Sequence, residues 1–371
     1  MLRRWPWVLL LVAVQAAICL HYAKFALIDD AFIAMRYAVN FVNGQGLVFN
    51  PGEYVEGYTC FLWVLMLAAC AALGLDPVIA SKLLGALFLL LTLVVTAWFF
   101  PTDPKRQVWS VLVAPALFAA NAAVSMWAVH GLETAMFTLL VTLALRADLR
   151  DHGGERFRAG WSAVGYALAT LARPEGAGLF GASVLFWIVS RPGRLLEGAI
   201  WRHLLGYAAI VAPYWLWRLD YYGLPLPNTF YAKVGLSLPV VLRGMDYVLD
   251  FFAGPGALLF LALVAVLLVG RRERRLAFLG WILGAYLLMV ALEGGDAFPA
   301  HRFMVPICPV LYLLVQEGFS GICEWGPSTR SGRVLARAAM VVVLAAAPLH
   351  EWRMLKSAGV EARGAIVSRR T

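Results

Sequence analysis

"CFLWVLMLAACAALGL", residues 60–75, is the stretch whose reading decides the fold. It is apolar throughout, yet shorter than the roughly 20 residues a helix needs to cross a bilayer. If it crosses, every later loop changes side. If it lies along the surface as a juxtamembrane helix, the next span is "VIASKLLGALFLLLTLVVTAWFF" (78–100). The basic loops "PTDPKRQ", "RADLRDHGGERFR", "RPGRLLEGAIWRH", "GRRERR" and "STRSGRVLAR" then all share one side. Lys and Arg concentrate in cytoplasmic loops, so the surface placement is the one expected.

The rest of the chain supports a bilayer as its solvent. It is 62% hydrophobic and 14% charged, with mean hydropathy +0.76 over 371 residues, and a soluble core could not bury its apolar runs. The +9 net charge is accounted for by cytoplasmic loops, and no nucleic-acid partner is expected. Five cysteines without paired spacing read as small hydrophobes, not as a disulfide frame or a zinc site. The opening "MLRRWPWVLLLVAVQAAICLHYA" reads as a retained first span with Arg3 and Arg4 inside, so the loop from about Lys24 is outside. Hydropathy gives about eleven spans, near 5–22, 78–100, 108–128, 134–148, 159–173, 176–190, 203–219, 253–270, 276–292, 303–319 and 335–349. The spans carry almost no charge, Lys82 being the chief exception. The expected architecture is an all-α polytopic membrane protein forming a single transmembrane domain over 1–371. Its first outer loop (23–77) holds juxtamembrane helices, and no separate soluble C-terminal domain is expected.

On this topology the polar motifs sort to the outer side: "IDDAFIAMRYA", "GEYVEGYT", "HGLET", "RPEG", "DYYGLPLPNTFYAK" and "EGGDAFPAHR". Asp29 and Asp30 supply carboxylates suited to general-base work on a hydroxyl. The same pair also suits the start of a helix, where carboxylates favour the dipole. "DDAFIAMRYAVNFV" has helical spacing, with Phe32, Met35 and Val39 on one stripe. Lys24, Arg36, Lys82, Arg173, Lys233, His301 and Arg302 form a cationic set suited to a phosphate leaving group. Arg302 is placed to hold a lipid phosphate by two points, or to snorkel as an anchor. Tyr54, Tyr58, Trp63, Tyr221, Tyr222, Phe230 and Tyr231 serve equally as an interfacial belt or as sugar-stacking rings. Asp29, Asp30 and Asp296 could hold a divalent cation, though no ligand spacing demands one.

"DDAFIAMRYAVNFVNGQGLVFNPGEYVEGYTCFLW", "HGLETAMF", "RPEG", "YYGLPLPNTFYAK" and "GGDAFPAHRFMVPICP" together resemble the membrane glycosyltransferases of the GT-C superfamily, over about residues 20–315. The likeness is to the branch of the mycobacterial terminal arabinofuranosyltransferase, and more distantly to the protein O-mannosyltransferases and the lipid A aminoarabinose transferase. It implies a GT-C-like bundle in the bacterial inner membrane, N-terminus cytoplasmic, with its active site on the periplasmic face. It also implies transfer of a sugar from a polyprenyl-phosphate carrier to a glycan, lipid or protein acceptor, with inversion. Asp29 matches the family's acidic pair as base toward the acceptor hydroxyl. Asp30 then pairs with a cation such as Lys82 or Arg36, although relatives more often carry Arg at the position of Lys82. The substrate-binding set implied is Arg36, Glu56, Tyr58, Lys82, Glu133, Arg173, Glu175, Asn228, Tyr231, Lys233, Asp296, His301 and Arg302. The chain departs from the arabinofuranosyltransferase pattern by ending near its last span. The competing class is a polytopic transporter or flippase for lipid-linked sugars, which would place ionisable residues at mid-membrane. A non-catalytic scaffold would need no paired carboxylates beside cations.

Overall fold

The computed structural model describes residues 4–100, 108–152, 160–233, 237–253 and 273–325, and every regular element among them is helical. The helices are α1 (Trp5–Tyr22), α2 (Asp29–Val42), α3 (Phe61–Ala72), α4 (Pro77–Ala97), α5 (Val113–Ala120), α6 (Ala122–Ala128), α7 (Thr134–His152), α8 (Trp161–Ala172) and α9 (Glu175–Ser190). They continue with α10 (Gly198–Tyr222), α11 (Asn228–Lys233), α12 (Leu238–Phe251), α13 (Arg274–Glu293) and α14 (Cys308–Trp325), the last entered through a 3-10 turn at Arg302–Ile307.

The deciding segment folds as α3, 12 residues long. At 1.5 Å per residue that is about 18 Å, against a hydrocarbon thickness of about 30 Å, so α3 alone is too short to cross. It packs on α2, as a pair of juxtamembrane helices would. By length and composition four described helical stretches can cross: Trp5–Tyr22, Pro77–Ala97, Arg274–Glu293 and Arg302–Ser320. The expected span at 108–128 is broken. Pro115 lies in α5, and Asn121 ends that helix and restarts the chain as α6, its Oδ1 accepting from the Val124 amide (2.8 Å) and its Nδ2 donating to Tyr312 (2.8 Å). α10 starts at Gly198, five residues before the expected 203, and continues through Pro213. The expected spans at 253–270 and 335–349 lie wholly or almost wholly outside the described residues.

α7 is the spine, packed on α4, α8 and the 302–307 turn, while α1 lies on α4, α5 and α6. The α4–α6 contact depends on Gly85, where a Cβ would lie 1.7 Å from the Ala128 carbonyl oxygen. Lys82 is not the chief charge in these helices, contrary to the hydropathy reading. Asp148 and Glu317 are fully buried, and Arg218 is 3% exposed. Buried charge is tolerated only where it is satisfied. Asp148 is the clearest case, accepting hydrogen bonds from Tyr166 (2.7 Å), Trp187 (2.8 Å), Ser183 and His152, which ties α7, α8 and α9 together.

Candidate functional site

α2 begins at Asp29, after Ile28 in extended conformation. Asp29 is exposed and Asp30 half-buried, and an Asp29 carboxylate oxygen accepts the Asp30 amide (3.0 Å), so the pair does occupy the positive end of a helix. The packed face of α2 is Ala31, Ala34, Met35 and Ala38. Phe32 and Val39 are exposed, so of the stripe read from sequence only Met35 is buried.

The cations expected beside Asp30 are engaged elsewhere. Lys82 Nζ donates to the Ala23 and Phe25 carbonyls (2.8 and 3.1 Å), which brings it to the α1–α2 connection and leaves its third N–H for a ligand. Arg36 Nε donates to the Phe49 carbonyl (2.8 Å), with its guanidinium 4.7 Å from that ring. Both cations thus bond backbone carbonyls of the loops rather than the carboxylate they were expected to hold.

The loop between α2 and α3 is fastened by polar side chains of α2 and α10. Asn40 donates to the Val48 and Phe49 carbonyls (2.9 Å each), and Tyr37 donates to the Val55 carbonyl (2.6 Å) and accepts from the Gly57 amide (2.9 Å). Glu56 is fully buried against Arg218, which holds it through Nε and Nη2 while Nη1 donates to the Pro225 carbonyl (2.5 Å). Burial pushes the Glu56 carboxyl above its ordinary value, against the pull of Arg218. Asn228 exchanges backbone and side-chain hydrogen bonds with Glu56 (3.2 and 3.3 Å), and Tyr58 meets Tyr222 (3.1 Å). These three substrate-binding candidates thus join the loop to the end of α10, through Arg218 and Tyr222, and to the start of α11, through Asn228. Tyr231 is exposed, and Lys233 ends α11 with its side chain outside the described residues.

The three later motifs converge. Arg173 donates to Glu133 (2.8 Å) and twice to Glu175 (3.0 and 2.5 Å), all three residues being under 9% exposed. Arg302 donates twice to Asp296 (2.6 and 3.3 Å). The two-point grip expected for a lipid phosphate is taken by this carboxylate, because Asp296 is the nearer anion on the same short loop. Both guanidinium groups lie against Phe303, at 4.8 and 5.1 Å from its ring. His301 meets Asp250 of α12 at 3.1 Å, and Tyr247 accepts from the Phe303 amide at 3.1 Å. Ala300 and His301 both have positive φ (59° and 48°), a strained pair of non-glycine residues on this loop. Burial and the Glu133 carboxylate both raise the Cys60 thiol above its ordinary value. Among the described residues no group of three His, Cys, Asp or Glu is disposed to hold a metal ion, and Asp296 is occupied by Arg302.

The comparisons with known proteins agree with this geometry. No family model matches the chain. It is 26% identical over 330 residues to the terminal β-(1→2)-arabinofuranosyltransferase of Corynebacterium glutamicum, covering 76% of this chain and 46% of that protein. It is 26% identical over 242 residues to the protein of the same description from Mycobacterium tuberculosis, covering 60% and 37%. The chain thus spans less than half the length of these curated relatives. Among solved structures it matches ArnT from Cupriavidus metallidurans in the apo state, with TM-score 0.62 and 15% identity over 94% of this chain and 75% of that one. It matches the same protein bound to undecaprenyl phosphate with TM-score 0.59 and 16% identity over 97% and 75%. The chain has the ArnT fold. The resemblance to the GT-C glycosyltransferases read from the motifs is therefore borne out by both kinds of relative, and the helices place the chain among multi-pass membrane proteins.

Several residues that organise the site were not singled out in the sequence. Arg218 stands in the apolar body of the 25-residue α10 two residues before Asp220, which was the available signal, whereas Tyr247 lies among Arg243, Asp246 and Asp250 on the amphipathic α12 and nothing local marks it. His130 was quoted within "HGLET" but carried no assignment.

Proposed function

We propose that this protein is a GT-C-type glycosyltransferase that moves a sugar from a polyprenyl-phosphate carrier to an acceptor hydroxyl at the periplasmic face of a bacterial inner membrane. The observation that carries this reading is the placement of Asp29 and Asp30 at the start of α2, with Lys82 bonded to the Ala23 and Phe25 carbonyls of the connection that leads into it, within a fold shared with ArnT. The sequence likeness to arabinofuranosyltransferases supports the class of reaction.

In the proposed step Asp29 takes the proton of the acceptor hydroxyl, and the acceptor oxygen bonds to the anomeric carbon. The bond from that carbon to the phosphate oxygen breaks, and polyprenyl phosphate leaves with the electron pair. The free N–H of Lys82 is positioned to meet that charge, and single displacement inverts the anomeric centre. About eleven spans, with α2 and α3 lying on the outer surface, complete the arrangement.

The test is direct. Purified protein in lipid nanodiscs, given a radiolabelled polyprenyl-phosphate sugar and an envelope-lipid acceptor extract, is expected to release polyprenyl phosphate and label the acceptor. Movement of the labelled lipid across a proteoliposome membrane without bond cleavage would instead establish a flippase.

A further inference from the structure

His130 is 8% exposed and belongs to the "HGLET" turn between α6 and α7. Its Nδ1 lies 2.6 Å from the Met126 carbonyl oxygen. A carbonyl can only accept, so Nδ1 must carry the proton and the neutral ring must present a bare lone pair at Nε2. Burial and the nearby Lys82 ammonium lower the pKa of the ring below its ordinary value, which keeps it in that neutral form. Nε2 has no hydrogen bond among the described residues, while the side chain keeps 8% of its surface exposed.

The surroundings of this ring are those of the proposed reaction. Gly131 (φ +91°) is pressed against the first turn of α2, where a Cβ would come within 2.7 Å of the Ala31 Cβ. On the other side the His130 ring lies 5.9 Å from that of Trp127, which in turn faces Arg302 at 5.6 Å. The imidazole therefore stands between the Asp29–Lys82 end of the site and the Asp296–Arg302 end.

We infer that His130 Nε2 accepts a hydrogen bond from a sugar hydroxyl held between Lys82 and the start of α2. The inference rests on the glycosyltransferase reading above and names a contact that reading lacks. A lipid phosphate is excluded as the partner, because ionised phosphate oxygens and a neutral Nε2 both only accept. Lys82 offers only donors, and Nε2 adds a neutral acceptor for a sugar hydroxyl to the Asp29 and Asp30 carboxylates at the start of α2.

The experiment compares His130→Asn and His130→Gln with wild type in steady-state transfer, with the donor and the acceptor varied in turn. Asn keeps an N–H for the Met126 carbonyl but has no atom at the Nε2 position, whereas the longer Gln amide reaches it. His130→Asn is expected to raise one KM about tenfold, the worth of one neutral hydrogen bond, with kcat and melting temperature little changed. His130→Gln is expected to recover to within about threefold. A shift in donor KM assigns the hydroxyl to the transferred sugar, and a shift in acceptor KM assigns it to the acceptor. Unchanged KM values in His130→Asn would overturn the inference. So would equal impairment of both variants together with lost thermal stability, which marks a packing role. Absence of any transfer by wild type would instead remove the glycosyltransferase reading itself.

Discussion

The Glu56–Arg218 pair offers a measurement that separates architecture from catalysis. The side chains are 1% and 3% exposed, so water screens the pair little and neither charge can relax into solvent. Removing one partner of such a pair costs about 3–5 kcal/mol, because the other is left buried and charged. Arg218→Met leaves Glu56 with Tyr214 at 3.4 Å and the Asn228 contacts. Glu56→Leu leaves Arg218 with the Pro225 carbonyl alone among its present partners. Each single variant is expected to lose about 3–5 kcal/mol, whereas Glu56→Leu with Arg218→Met is expected to return to within about 1 kcal/mol of wild type, since an apolar pair of similar volume carries no desolvation penalty. The sign of the pH effect is fixed too. The folded carboxyl already titrates above its ordinary value, and loss of Arg218 raises it further, so the destabilisation of Arg218→Met shrinks as pH falls and the carboxyl protonates. Thermal unfolding in detergent, followed by tryptophan fluorescence as a double-mutant cycle at several pH values, reads both effects. Strictly additive losses would refute the pairing argument. A double variant that regains stability but no longer binds donor would return Glu56 to the substrate.

Asp29→Asn is expected to reduce transfer by about 10²–10⁴ with donor binding retained, and Asp30→Asn to act mainly through site geometry; turnover and donor-binding assays with both variants active would leave the pair as a helix start only. Arg302→Lys is expected to cut activity far more than expression, because a single ammonium cannot reproduce the two-point hold on Asp296, and equal specific activity would reduce Arg302 to an anchor. Single cysteines at Glu53 and Ala297, both exposed, are expected to react with an impermeant thiol reagent from outside, and one at Leu196 only after lysis; outside labelling of Leu196 would overturn the topology. Wild type is expected to lose more stability than His130→Gln on acidification below about pH 6.5. The lowered folded pKa of His130 means the unfolded chain takes up that proton first, and parallel curves would show no such linkage.

The sequence by itself determined the helical class and the bounds of several helices, though not the break at Asn121 within 108–128. The first span was read as 5–22 and folds as Trp5–Tyr22, and 176–190 as Glu175–Ser190, because apolar runs and their breakers are local properties of the chain. The 60–75 segment was legible as a helix too short for a bilayer crossing, and it folds as the 12-residue α3, length being a sequence quantity; its surface placement rested on the sorting of the basic loops. Which charges meet was decided only in three dimensions. Arg218 lies 162 residues from Glu56, and Arg173 lies 40 from Glu133, so nothing in the local pattern selects those partners. Lys82 was expected on a carboxylate and goes to two carbonyls, because the α1–α2 connection brings unpaired backbone acceptors nearer than Asp30. A cation takes the acceptor that packing delivers, and packing is set by surfaces far apart in the chain.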